Sequence, residues 1–128
     1  DGVTKIGYNS FYNCTSLKRV YLPDSVKEIE ADAFLGCGNL TEVNIPGNVE
    51  KIGSRAFRDS GISSIELPDS LTVISDNAFY GCKKLASINI PAETKLYKHA
   101  FSGCISLKNL YIENGVTAVP EYAFFGCV

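Results

Sequence analysis

Six phenylalanines, Phe11, Phe34, Phe57, Phe79, Phe101 and Phe124, recur at intervals of 23, 23, 22, 22 and 23 residues. Each carries its neighbours with it. A small residue stands before every one (Ser10, Ala33, Ala56, Ala78, Ala100, Ala123), and three positions after stands Cys14, Cys37, Ser60, Cys82, Cys104 or Cys127. A period of about 20 to 50 residues marks a solenoid, propeller or array, so it outranks any local reading of helix or strand.

The copies align on the unit L-x-x-V-x-L-P-x-x-V-x-x-I-x-x-x-A-F-x-x-C. Its leading slot holds Leu17, Leu40, Ile62, Leu85 and Leu107, followed by Val20, Val43, Ile65, Ile88 and Leu110, then by Leu22, Ile45, Leu67, Ile90 and Ile112. This in-and-out alternation predicts a strand in each coil. Pro23, Pro46, Pro68 and Pro91 end four of the five, because proline has no N–H for a ladder. A second apolar pair follows each turn, for example Val26 with Ile29 and Val49 with Ile52. The Ala-Phe corner is expected to form a short helical turn, closed by Gly36, Gly81, Gly103 or Gly126 in a left-handed conformation.

One such unit cannot bury its own apolar residues; stacked units bury them against one another. The expected fold is therefore an α/β repeat solenoid, a leucine-rich-repeat horseshoe of about 5.5 coils. Its parallel sheet, built from the L-x-x-V-x-L strands, lies on the concave face, with helical or 3-10 turns and loops elsewhere. Residues 1–128 make one domain, with coils beginning near 17, 40, 62, 85 and 107. Two coils are one residue short, between Phe57 and Ile62 and between Pro91 and Leu96, and loops are expected to absorb both losses. Because the chain begins and ends within a repeat, it reads as a piece of a longer array whose uncapped ends could self-associate.

On these residues the chain resembles the BspA-type, or Treponema-type, leucine-rich repeat family. The pattern covers the whole chain and departs from the family at Ser10, Ser60, Thr94 and at Glu113 in place of proline. The resemblance implies an exported or cell-surface protein, with family members acting as adhesins toward host matrix proteins or neighbouring cells.

Other chemistries find little support. A net charge of -2 lacks the basic stripe of a nucleic-acid surface, and no apolar run is long enough for membrane insertion. No C-x-x-C pair, phosphate loop or dinucleotide fingerprint occurs, so neither metal nor cofactor is expected. The five cysteines are expected to be free thiols buried in the core, since side chains at equivalent positions of parallel coils point the same way and do not close to disulfide distance. His99, the one histidine, shares a slot with Asp32, Arg55, Asn77 and Tyr122 that reads as variable and solvent-facing. No nucleophile is expected beside it, and the chain is not expected to be an enzyme.

What remains is the outward side of the L-x-x-V-x-L strands. Lys18, Arg19 and Tyr21 at one end and Lys108 and Tyr111 at the other flank a smaller, polar middle carrying Glu42, Asn44, Glu66 and Asn89. Tyrosine is favoured at recognition surfaces for its amphipathic contact area. The leading expectation is a module binding a protein or glycan on these nine residues. The alternative is a structural spacer whose faces bind nothing.

Overall fold

The computed structural model describes residues 2–127; Asp1 and Val128, the ends of the expected domain, lie outside them. The chain winds as a parallel β-solenoid of about five coils. Nine short strands follow in order among the described residues: β1 (Lys5–Ile6), β2 (Arg19–Val20), β3 (Glu28–Ile29), β4 (Glu42–Val43), β5 (Lys51–Ile52), β6 (Val73–Ile74), β7 (Ser87–Ile90), β8 (Lys95–Leu96) and β9 (Asn109–Ile112).

The continuous sheet is not the expected one. It is built from the second apolar pair of each coil, in the order β1-β3-β5-β6-β8, with every neighbouring pair parallel. Ile6, Ile29, Ile52, Ile74 and Leu96 point inward and are buried. Lys5, Glu28 and Lys51 stand in register on the outer side, so that Glu28 receives Lys5 at 3.0 Å and Lys51 at 3.2 Å. The Lys5 ammonium, with Lys51 beside it, holds the Glu28 carboxyl below the usual carboxylate range. By contrast, the L-x-x-V-x-L strands form two separate pairs, β2 with β4 and β7 with β9.

The Ala-Phe corners are not helical, and the described residues contain no helix. Alternate amides leave the coil. In the first corner Ser10, Tyr12 and Cys14 donate back three residues, to Gly7, Asn9 and Phe11, while Asn9, Phe11 and Asn13 donate to Ala31, Ala33 and Leu35 of the next coil. Two residues per corner also have positive φ, beginning with Asn9 (58°) and Asn13 (54°), which no right-handed helix admits. The corner is instead a chain of overlapping tight turns, of which the first and last have a left-handed third residue, the type II signature. Gly36, Gly81, Gly103 and Gly126 are left-handed as expected, and Asn13 and Asp59 take the same conformation in the two coils lacking that glycine.

The first of these left-handed slots holds Asn9, Asp32, Arg55, Asn77, His99 and Tyr122, with φ between 57° and 60°. It is not uniformly solvent-facing, because Asp32 is buried and accepts from Arg55 Nη2 at 2.7 Å. His99 stacks on Tyr122 with centroids 5.1 Å apart. Neighbouring side chains thus support one another where the backbone is held in a conformation that Arg and Tyr rarely adopt.

Six phenylalanine rings form one spine, with centroids 5.0 to 5.3 Å apart and interplanar angles of 1° to 10°. Phe34, Phe57, Phe79 and Phe101 are fully buried. The cysteines run beside them as free thiols. Each of Cys37, Cys82, Cys104 and Cys127 donates its S–H, at 3.0 to 3.2 Å, to the carbonyl of the phenylalanine one coil before, Phe11, Phe57, Phe79 and Phe101. Ser60 keeps this slot polar and lies 3.3 Å from Cys82 Sγ. The neighbouring Cys82 sulfur, together with burial, pushes the Cys104 thiol up, and burial does the same for Cys37.

The two missing residues behave differently. At the second, Thr94 falls in the slot of Val26, Val49 and Leu71, each of which donates its N–H to the residue three before it. The register is therefore unambiguous there, and the loss falls against β8 and not on a free loop. Thr94 Oγ1 donates to the Leu71 carbonyl at 2.8 Å and Lys95 N to Thr72 O at 2.8 Å, so the ladder continues. At the first, the shortened corner draws Gly61 against Gly38, whose carbonyl would collide with any Cβ there. The segment that follows, residues 63–67, forms no strand.

Candidate binding face

Along the outer side of the L-x-x-V-x-L segments, position five of the repeat forms a row: Tyr21, Asn44, Glu66, Asn89, Tyr111. Register carries it, because β2 pairs Arg19 with Glu42, and β7 pairs Asn89 with Tyr111. Successive coils stack 5.0 to 5.3 Å apart at the phenylalanine spine, so four coil steps separate the tyrosines by about 20 Å. Both rings are largely in solvent, Tyr21 at 74% and Tyr111 at 64% exposure.

The residues between them are not equivalent. Asn44 works for the fold: its Oδ1 accepts from Leu22 N at 2.6 Å and its Nδ2 donates to Leu22 O at 2.9 Å, so a carboxamide replaces the next rung after β2 and β4. Asn89 Nδ2 donates to Glu113 Oε1 at 2.6 Å. Glu42 meets Arg19 Nε at 3.3 Å. Glu66, at the centre, is exposed and has no ion pair or hydrogen bond among the described residues. Lys18 and Lys108 are exposed at opposite ends of the face.

Glu66 sits where the face is open. Among the described residues, the amides of Ser64, Ile65, Glu66 and Leu67 reach no backbone carbonyl, and the one rung this segment makes is Ala86 N to Ser63 O at 3.1 Å. A groove of about 500 Å³ runs along this seam from Tyr21 past Glu42 and Asn44 to Ser64 and Glu66. A second, of about 370 Å³, continues from Glu66 past Ser87 and Asn89 to Tyr111. Glu66 and Ser87 line both. Six of the nine residues expected from sequence, Tyr21, Glu42, Asn44, Glu66, Asn89 and Tyr111, line these grooves, and of the central row only Tyr21, Glu66 and Tyr111 lack a hydrogen bond or ion pair among the described residues. The seam itself was not foreseen. Its signal was available in the interval from Phe57 to Ile62, one residue short immediately before the strand that fails to pair.

No group of His, Cys, Asp and Glu among the described residues has the arrangement of a metal site, and no helix is long and apolar enough to cross a membrane. The face offers stacking surface, one free carboxylate and unpaired backbone amides, which are means of recognition.

No curated protein matches the chain. Among solved structures, a leucine-rich repeat protein of Bacteroides ovatus is 34% identical with a TM-score of 0.85, over 98% of this chain and 33% of its own. The pneumococcal vaccine antigen PcpA is 29% identical with a TM-score of 0.87, over 98% of this chain and 31% of its own. A leucine-rich cell surface protein of Faecalibacterium prausnitzii is 34% identical with a TM-score of 0.64, over 88% and 37%. The chain thus spans about a third of the length of each of these proteins. The family model for the BspA-type leucine-rich repeat region matches residues 4–128 in six copies. The chain belongs to the BspA-type leucine-rich repeat family.

Proposed function

We propose that this chain is a binding module of an exported or cell-surface bacterial protein, and that it engages a protein of host matrix or of neighbouring cells on its L-x-x-V-x-L face. The observation that carries the reading is the row from Tyr21 to Tyr111, two exposed aromatic rings bracketing a free carboxylate along an open groove. Exposed tyrosines on a rigid platform are the side chains in which contact energy concentrates. The description of one relative as a cell surface protein supports the location. A short array binds weakly, and a longer one gains avidity by repeating the face.

The experiment immobilises the chain and probes it with matrix proteins and a glycan panel, alongside Tyr21→Ala combined with Tyr111→Ala. Binding of a protein by the parent, reduced about tenfold or more in the double variant, is the expected outcome. Binding confined to glycans would move the assignment to carbohydrate. Equal binding by the double variant would remove this face from the reading, and no binding by any longer array would leave a spacer.

A further inference from the structure

Deepening the reading just given, we propose that the occupant of the face is a polyproline II segment with a lysine or arginine at its centre, of the form Pro-x-x-Lys/Arg-x-x-Pro. The row and such a segment have commensurate spacings. Tyr21, Glu66 and Tyr111 stand on alternate coils, and successive coils stack 5.0 to 5.3 Å apart at the phenylalanine spine, which sets about 10 Å from one to the next. A polyproline II helix has 3 residues per turn and rises about 3.1 Å per residue, so residues i, i+3 and i+6 lie on one side at steps of about 9 Å. A β-strand repeats its side chains about every 6.7 Å, and neither one nor two such steps matches the row.

Chemistry at the three points agrees with the spacing. Tyrosine rings are the surfaces on which proline-rich segments dock, since a preformed extended helix loses little entropy on binding. Each groove holds one ring at its outer end, Tyr21 in the first and Tyr111 in the second. Both grooves meet at Glu66, the one carboxylate of the row and a group with no ion pair among the described residues. A cation at the central residue of the segment faces it. The unpaired amides of Ser64 and Glu66 beside it can donate to carbonyls of the segment, which a polyproline II backbone leaves free.

The test measures fluorescence polarisation of labelled heptapeptides on the intact chain. The first peptide carries proline at positions one, three, five and seven and lysine at four. The second replaces that lysine with glutamate, and the third is an alternating lysine–threonine peptide of strand propensity. The lysine-centred proline peptide is expected to bind saturably below about 1 mM, at least about tenfold tighter than the other two. Glu66→Lys is expected to reverse the preference toward the glutamate-centred peptide, and Tyr21→Ala or Tyr111→Ala to weaken both. Equal binding of all three peptides, unchanged preference in Glu66→Lys, or no saturation by the proline peptide would each overturn the inference. Were no heptapeptide bound while matrix protein is still captured in a tyrosine-dependent manner, this inference would fall and the binding-module reading would stand.

Discussion

The two strand-bearing sides of the solenoid come from one repeat and end up unlike each other. On the side of β1, β3, β5, β6 and β8, five coils pair without interruption, and a Lys-Glu-Lys ladder crosses the strands. On the side of the L-x-x-V-x-L segments, the ladder breaks at residues 63–67 and leaves a groove. Each side follows a coil with one residue missing. Thr94, through its hydroxyl, and Lys95, through its amide, restore the lost rung on the first side. Nothing comparable restores it at Gly61, where a close backbone approach has consumed the slack. A deletion is silent in a solenoid when a nearby polar side chain can take up the missing bond; otherwise it opens the sheet.

The largest effect belongs to the spine that both sides share. Phe57→Ala removes a fully buried ring between Phe34 and Phe79, and is expected to cost about 3–5 kcal/mol. A thermal melt within about 2 °C of the parent would mean that the rings do not bear on a common core.

Hydrogen exchange addresses the seam itself. Amides of Ile65 and Glu66, unpaired on the open side, are expected to exchange at least about 100-fold faster than the laddered amides of Ile52 and Ile74, a difference of about 2.7 kcal/mol in local opening. Similar protection at the two sets would close the proposed seam.

Gly61→Ala forces a Cβ into the Gly38 carbonyl and is expected to destabilise by about 1–3 kcal/mol. Gly47→Ala, which meets nothing, is its control and is expected to be neutral or slightly stabilising. Denaturant melts of the pair give the contrast directly, and equal midpoints would show that the short corner is not tight.

The smallest effect is the pH dependence of the spine. The raised pKa values of Cys37 and Cys104 mean that the folded chain keeps protons on these two thiols that the unfolded chain releases above about pH 8.5. Stability from these thiols is therefore complete below that pH and falls as pH rises, by up to about 1.4 kcal/mol per unit for each thiol held neutral. The depressed Glu28 carboxyl acts in the opposite direction, stabilising above about pH 4.3 and losing its contribution as pH falls. Melts from pH 2 to 10, read beside thiol titration, check both. Half-buried Cys14 and Cys127 should react before Cys37, Cys82 and Cys104, and uniform reactivity in the native state would exclude a buried thiol ladder.

Much of this molecule is legible before any coordinate is known. The intervals between phenylalanines place the rings of the spine one above another, and the glycine two positions on from the ring is left-handed where it occurs. The helical corner was misread, because an Ala-Phe-x-Gly stretch looks the same whether its amides turn inward to their own coil or outward to the next. Phe11 N bonding Ala33 O is a long-range fact that no local propensity contains. The identity of the continuous sheet was hidden for a similar reason. A two-residue strand such as Glu28–Ile29 has too few alternating positions to be distinguished from a turn.

Repetition in the sequence by itself determined the stacking and the solenoid architecture, because a period of 22 or 23 residues brings like positions into register and leaves each coil only its neighbours for burial. Tertiary structure alone decided which rungs close. A backbone amide cannot be assigned a partner until the neighbouring coil's carbonyl is within about 3 Å, and one absent residue moves it out of that range in one place and not in another. That local failure of an otherwise regular ladder sets Glu66 free between two tyrosines.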